Sequence, residues 1–427
     1  MNRDELRELS KAELVEAYLL LQARLHRPGK TSRTSSKPPS TDHKEKRANS
    51  KPGGAKPGHK GHFRALVEQP DRIVEHRPDR CPGCGHGFTP DAAGEVISSH
   101  DTVDLPPVAP VVTRHQRLAC ACPGCGAQVK AGVQAGSPFG PNIRALALYM
   151  KHIQHVSYQR LQAMLKDVFG LTISQGALGN MFQRASTAFG REKASIQERL
   201  RNAEAVASDE TGVRIEGVNA QHWVFRAPGI VLHEAAFSRA AQVVRDVMDG
   251  HRPAFWTSDR YSAQQGHGLR HQTCLAHLAR DIAYALEVSD DPTPLSLKLW
   301  LGDVFALWRS LDDLAASTIA RKRRDLDNRI ARILCTQSDC EVTAALLRKI
   351  ANARDQLLTF LDAPGLVQPT NNDCERALRP AVISRKATYG FRANWGAQAD
   401  TALRSVVDTE RLAGIGPYQA IQNAIAT

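Results

Sequence analysis

Two stretches, Cys81-Pro82-Gly83-Cys84-Gly85 and Cys122-Pro123-Gly124-Cys125-Gly126, repeat the same five residues. No other feature limits the fold so strongly. A Cys-x-x-Cys knuckle offers two thiolates, and two knuckles supply the four that a tetrahedral, structural zinc ion takes. Glycine in each turn lets backbone N–H groups face the sulfurs. The chain has nine cysteines, an odd number, and five of them fall between Cys81 and Cys125. That fits reduced thiols and metal ligation in a cytosol better than a disulfide frame. Cys120 is a spare that competes with Cys122 as a ligand. Between the knuckles, Val103 to Leu118 holds strand-like apolar pieces broken by Pro106, Pro107 and Pro110. The expectation for 65–137 is a zinc-ribbon-like module with an inserted hairpin.

A length of 427 residues exceeds one ordinary core, so two to four units are expected. The formal charge of +12 calls for a polyanionic partner, nucleic acid first and a membrane surface second. No apolar run is long enough to span a bilayer, and the N-terminus lacks a signal-peptide pattern. The expected location is the cytoplasm, on DNA.

Within 1–27, Ser10-Lys11-Ala12-Glu13 is a capping-box pattern that starts a helix. Leu14, Tyr18, Leu21 and Leu25 follow with coiled-coil spacing over about two heptads. A dimer zipper and a helix docked on its own chain both fit. From Arg27 to Arg64, eleven Lys or Arg stand against two acids, and no apolar period survives. The stretch 28–64 therefore reads as a basic flexible linker that can lie on DNA phosphate.

The stretch 138–200 reads helical. Tyr158 to Phe169 forms one helix, Gly170 to Ile173 a turn, and Ser174 caps a second helix through Ala185. Helix, short glycine-containing turn and capped helix match helix-turn-helix geometry, which places Gln175, Asn180, Gln183 and Arg184 on or near the reading helix. An ordinary helical hairpin fits the spacing equally well.

From 201 to 270 the pattern changes to strands. Ala205 to Asp209, His222 to Arg226 and Ile230 to Ala235 are three short runs; Ala240 to Met248 is an amphipathic helix; Ala254 to Asp259 is a fourth strand. Three strands, a helix and a strand open a ribonuclease H-like fold, in which the first and fourth strands are neighbours. Asp209 and Asp259, each closing its run, would then lie side by side. Adjacent carboxylates repel unless a cation sits between them. The stretch 271–368 is mainly helical and reads as an insertion; its Cys274 and His277 are too few for a metal site of their own. The core resumes over 369–427 with Asn371-Asn372-Asp373-Cys374-Glu375-Arg376-Ala377-Leu378-Arg379-Pro380, a helix start whose carboxylate Glu375 is surrounded by Arg376, Arg379, Arg385 and Lys386. Taken alone, Glu375 and Arg379 make an ordinary i,i+4 pair. The fold class is multidomain, mixed α+β and α/β.

With the three acids located, the chain resembles DDE-type transposases, most of all those of the sixty-sixth family of bacterial insertion sequences. The matching blocks are Ser208-Asp209-Glu210-Thr211, Ser258-Asp259-Arg260-Tyr261, and Asn371 to Pro380 with Ser384-Arg385-Lys386. The resemblance implies a ribonuclease H-like core in which Asp209, Asp259 and Glu375 are catalytic and hold Mg2+ or Mn2+. It implies Zn2+ on Cys81, Cys84, Cys122 and Cys125. It implies phosphate contacts from Arg376, Arg379, Arg385 and Lys386, with Gln175 and Arg184 reading DNA. Implied partners are double-stranded DNA at the element's terminal repeats and at the target, further copies of the chain, and accessory proteins of the element. Cys274 and His277 resemble a C-x-x-H element that follows the second Asp in many transposases. The competing reading is an inert zinc and helix-turn-helix protein that binds DNA without cutting it.

Overall fold

The structure, a computed structural model, describes residues 10–25, 28–35, 42, 54–55, 58–61, 64–106, 108–132 and 137–426. Most of the basic stretch 28–64 lies outside the described residues, as does the side chain of Leu25. Two compact units result: one drawn from 1–43, 115–167 and 171–427, the other from 44–114 with 168–170. Helix and sheet are mixed, and among the described residues no helix is long and apolar enough to cross a membrane.

Helix α1 (Lys11–Leu25) begins with the capping box. Ser10 N donates to Glu13 Oε2 at 2.7 Å, and Glu13 N donates to Ser10 Oγ at 3.3 Å. Leu14, Tyr18 and Leu21 of its apolar seam are exposed. Strands β1 (Ala119–Ala121) and β2 (Gln128–Lys130) pair antiparallel around the second knuckle. The hairpin thus encloses a knuckle instead of separating the two. Over 103–118, where the sequence suggested strand pieces, no strand forms among the described residues, because the prolines remove donors that a ladder needs.

Helices α2 (Pro141–Leu148), α3 (Tyr158–Phe169) and α4 (Gln175–Arg201) follow. Ser174 caps α4 as expected, its Oγ accepting from Ala177 N at 3.1 Å. The helix does not stop near Ala185, however. It continues to Arg201, because Phe189, Ile196 and Leu200 extend its buried stripe.

Five strands form the central sheet: β3 (Ala205–Ile215), β4 (Val218–Ala227), β5 (Ile230–Ala236), β6 (Phe255–Ser258) and β7 (Arg270–Thr273), with helix α5 (Ala241–Met248) between β5 and β6. Their spatial order is β5-β4-β3-β6-β7. The first three are antiparallel hairpin partners, whereas β3, β6 and β7 run parallel. The first and fourth strands of the sheet are therefore neighbours.

Strand β7 lies in the stretch read as helical. Its sequence, Arg270-His271-Gln272-Thr273, has no apolar alternation to betray it. Buried Gln272 instead serves as a hydrogen-bonding hub: its Oε1 accepts from Phe360 N at 2.8 Å and its Nε2 donates to Leu357 O at 3.3 Å. Helices α6 (Leu275–Val288), α7 (Thr293–Arg309), α8 (Ala316–Leu334) and α9 (Glu341–Asn352) then pack around Leu278, Ile282, Trp300, Val304, Ile330 and Ile350. Each such fully buried side chain contributes about 1.5–3 kcal/mol.

The chain returns with α10 (Asn372–Thr388), α11 (Asn394–Leu412) and α12 (Pro417–Ala426). Cys374 and Leu378 of α10 pack on Val224 and Val231, and Ala397 of α11 packs near Val213, Ile215 and Ala235. By strand alternation these helices share one sheet face. The other face carries Trp223, Phe225 and Trp256, whose rings touch. Phe391 N donates to Arg214 O at 2.8 Å and Glu216 N to Phe391 O at 2.9 Å, tying the end of α10 to the end of β3. Gly390 permits that approach: a Cβ there would lie 2.3 Å from Arg214 O.

Candidate active site

The sheet's own topology marks a crevice. From β3 the chain moves through β4 to β5 on one side, while β6 and β7 lie on the other. Neighbouring parallel strands whose connections diverge leave an opening beyond their carboxyl ends. Register shows what stands there. Ala207 pairs with Thr257 on the last rung of the parallel ladder, Asp209 and Asp259 each lie two residues beyond it, and the Asp259 carboxylate acts on Asp209. Asp259 follows the end of β6, as expected. Asp209 does not end its strand; it lies mid-strand because β3 runs on to Ile215 as the partner of β4. The parallel ladder to β6 ends earlier, at Ala207.

Asn371 joins the third acid to this pair. Its Nδ2 donates to Ser208 O at 2.7 Å, and its backbone N–H donates to Cys274 Sγ at 3.1 Å. Cys274 caps the start of α6, and Asn371 caps α10, one turn before Glu375. The two helix starts are thereby held against the residue preceding Asp209. Burial, with the nearby carboxylates of Glu210, Asp259 and Glu375, pushes the Asp209 carboxyl up to about 8. Its Oδ1 accepts from Glu210 N at 2.9 Å. Among the described residues no cationic side chain pairs with Asp209.

Glu375 does not pair with Arg379. It faces α6 instead, where Arg280 Nη2 lies 3.4 Å and His277 Nε2 4.0 Å from its Oε1. Burial and the adjacent Arg280 lower the His277 imidazole below its ordinary value. His277 Nδ1, Arg280 Nε and Asn371 Oδ1 are all buried without a hydrogen-bond partner. Cys274, His277 and Arg280 recur every third residue, and that one-sided polar stripe was the readable trace of α6's part in the site.

On the opposite side of β3, Glu210 is nearly buried and fully compensated. Arg239 Nη2 lies 2.6 Å away, and Gln264 Nε2 donates to its Oε2 at 2.6 Å. Arg239 also covers the ring of Tyr261 at 4.0 Å. Adjacent carboxylates in one strand thus have opposite fates, set by the period-two alternation of a strand.

Of the basic residues on α10, Arg376, Arg379 and Lys386 are exposed, and Arg376 pairs with Asp373 at 3.3 Å. Arg385 differs: its Nη1 donates to Gly212 O, a tie to β3. Phe391 is core, packed on Val213 and Ile215, while Tyr389 and Trp395 are exposed. Gln175, Asn180, Gln183 and Arg184 are exposed on the first half of α4.

Each knuckle is closed by the same bonds. Gly85 N donates to Cys81 O at 2.9 Å and Gly126 N to Cys122 O at 2.8 Å. Gly85 and Gly126 take left-handed φ values of 73° and 75°, which glycine adopts without strain. Backbone N–H groups of Cys84 and Gly83 lower the Cys81 thiol, and those of Gly124 and Cys125 lower the Cys122 thiol. Both thus favour the thiolate that a soft metal takes. Cys120 lies in β1 opposite Val129. Cys81 and Cys122 belong to different compact units.

Among the described residues, no three His, Cys, Asp or Glu side chains gather closely enough to hold a metal ion. At the sheet crevice this follows from charge, since like carboxylates do not close on one another unaided. The donors themselves suit a hard divalent cation: three carboxylates and a buried, unpartnered amide oxygen on Asn371.

Comparison with known proteins agrees with this layout. Residues 78–126 match the zinc-finger binding domain of transposase IS66, a span that holds both knuckles. The uncharacterized protein y4jD of Sinorhizobium fredii (strain NBRC 101917 / NGR234) is 24% identical over 389 residues, covering 82% of this chain and 74% of that protein. Residues 136–399, which contain Asp209, Asp259 and Glu375, match the Transposase IS66 family. That span is more than half of the chain, and the chain belongs to the IS66 transposase family.

Proposed function

We propose that this transposase cuts and joins DNA phosphodiester bonds at a centre built from Asp209, Asp259 and Glu375. The observation that carries the proposal is Asp209, a half-buried carboxyl set among other carboxylates with no cationic side chain paired to it among the described residues. Such a site is costly unless a cation enters. The sheet order supports a ribonuclease H-like reading, because the strands bearing the two aspartates are neighbours. The three acids would hold Mg2+ or Mn2+, which when bound makes a water nucleophilic at neutral pH and stabilises a leaving oxygen. The chain's own residues do the rest. Asn371 positions Glu375 against β3, and Arg385 holds α10 to Gly212 O. Exposed Arg376, Arg379 and Lys386 neutralise backbone phosphate along α10. No serine or tyrosine nucleophile is required.

The same proposal assigns Zn2+ to Cys81, Cys84, Cys122 and Cys125 as a structural ion. It assigns end recognition to the zinc module and to α3 and α4, with Gln175 and Arg184 toward double-stranded DNA. The test is strand cleavage of a labelled duplex carrying the element's own end, with Mg2+ or Mn2+, comparing wild type with Glu375→Gln. Metal-dependent nicking should fall by at least about 100-fold while DNA binding persists. Equal cleavage by both proteins removes Glu375 from the centre. Tight binding with no cleavage by either favours an inert DNA-binding protein.

A further inference from the structure

Arg280 is placed oddly for a structural residue. Its Nη2 lies 3.4 Å from Glu375 Oε1, long beside the roughly 2.7–2.9 Å of a charge-assisted bond. Its Nε is buried with no partner. The neighbouring acid on α6, Asp281, does not compensate it: Asp281 is taken by Arg260 and approached by Lys349 at 3.8 Å. Arg280 is thus a half-satisfied guanidinium whose carboxylate contact is one member of the proposed triad. Guanidinium groups bind carboxylate and phosphate through the same planar fork, so either anion can fill this position.

A divalent cation that takes Glu375 Oε1 as a ligand competes directly with Arg280 for that oxygen. Displaced from it, the guanidinium stays near the acids, where a DNA phosphate would be drawn by the cation they hold. We propose that Arg280 is a phosphate-binding residue of the active site that exchanges Glu375 for the DNA backbone when the cation binds. The proposal rests on the triad assigned above. His277 Nε2 lies farther from the same oxygen, at 4.0 Å, which leaves Arg280 as the nearer competitor.

Exchange predicts opposite signs for two properties of one variant, which a merely structural role would not produce. Arg280→Gln removes a cation that competes for Oε1, so Mn2+ titrated alone into the whole protein should bind about ten-fold more tightly. Cleavage of the element-end duplex at saturating Mn2+ should nonetheless fall by at least about ten-fold. Arg280→Lys keeps the charge and loses the fork, so Mn2+ affinity stays near that of wild type while cleavage falls. It serves as the informative variant if Arg280→Gln does not fold. In a Glu375→Gln background, Arg280→Gln should restore no Mn2+ binding. Weaker Mn2+ binding by folded Arg280→Gln, or undiminished cleavage by either Arg280 variant, overturns the inference while leaving the triad intact. If wild type itself binds no Mn2+ that Glu375→Gln abolishes, the triad fails and the inference fails with it.

Discussion

Two aspartates at one sheet, one half-buried and one buried, keep contrasting company. Asp209, at the crevice, lies among Glu210, Asp259 and Glu375. Asp400, on α11 against the sheet, receives His152 Nδ1 at 2.8 Å and Arg404 Nε at 2.7 Å. Arg404 Nη2 also donates to His152 O at 2.9 Å. Burial alone would raise both carboxyls. At Asp400, Arg404 and His152 overcome burial and hold the group far below the carboxylate range; at Asp209 burial wins and like charges add to it. A second chain of buried polar groups lies close by, with His222 Nε2 3.0 Å from His233 Nδ1 and His233 Nε2 3.0 Å from Asp408. Burial of charge therefore does not distinguish function from structure in this protein. Compensation does: Asp400 and Arg404 tie α11 to His152, and Asp408 ties it to the sheet through His233, whereas Asp209 has no such partner among the described residues.

The largest expected effect comes from breaking the Asp400 network. Arg404→Leu leaves Asp400 buried and charged, and should cost about 3–5 kcal/mol in urea unfolding. A loss under about 1 kcal/mol would remove the contrast. Asn371→Ala should be milder for the fold, about 1–3 kcal/mol for the lost bond to Ser208 O, and harsher for cleavage, by about 10–100-fold, because Glu375 loses its tether. Cleavage as fast as wild type would reduce Asn371 to an ordinary cap. Smallest of all is Cys120→Ser, which should leave the zinc content by elemental analysis unchanged, whereas Cys122→Ser should abolish it. The reverse result would make Cys120 the ligand.

The two aspartates also predict opposite pH slopes. Asp400 has its folded pKa below the unfolded value of 3.8, so its stabilisation is present above 3.8 and drains away as pH falls below it. Asp209 has its folded pKa above 3.8, at about 8. The folded protein then binds the extra proton, and stability is lost as pH rises from about 4 to about 8.

Much of this was legible in the sequence, and the parts that were not share a physical reason. The capping box at Ser10, the Ser174 cap, β4 and β5 follow from apolar period or cap chemistry, and the pairing of the first and fourth strands from the order of elements read as a ribonuclease H-like fold. The longer reach of α4 and β3 does not, because each is extended by packing against α11 or β4 that only the tertiary fold supplies. Strand β7 was hidden because it buries Gln272 and Thr273 instead of apolar side chains. At the site, the acids stand out as residue types in order. Their partners do not: Asn371 reaches Ser208, and His277 and Arg280 reach Glu375, from far along the chain, and nothing in local spacing says that Glu375 turns to Arg280 in preference to Arg379.

The most direct measurement is thermal unfolding at pH 8 as Mg2+ is titrated into wild type and Asp209→Asn. The expected result is a wild-type midpoint that rises with Mg2+, by about 2.7 kcal/mol of stability at a hundred-fold excess over Kd, and an Asp209→Asn midpoint that starts no lower and does not respond. Equal Mg2+ responses, or an Asp209→Asn protein destabilised without metal as severely as Arg404→Leu, would show that Asp209 is a compensated structural acid and contradict the cation site.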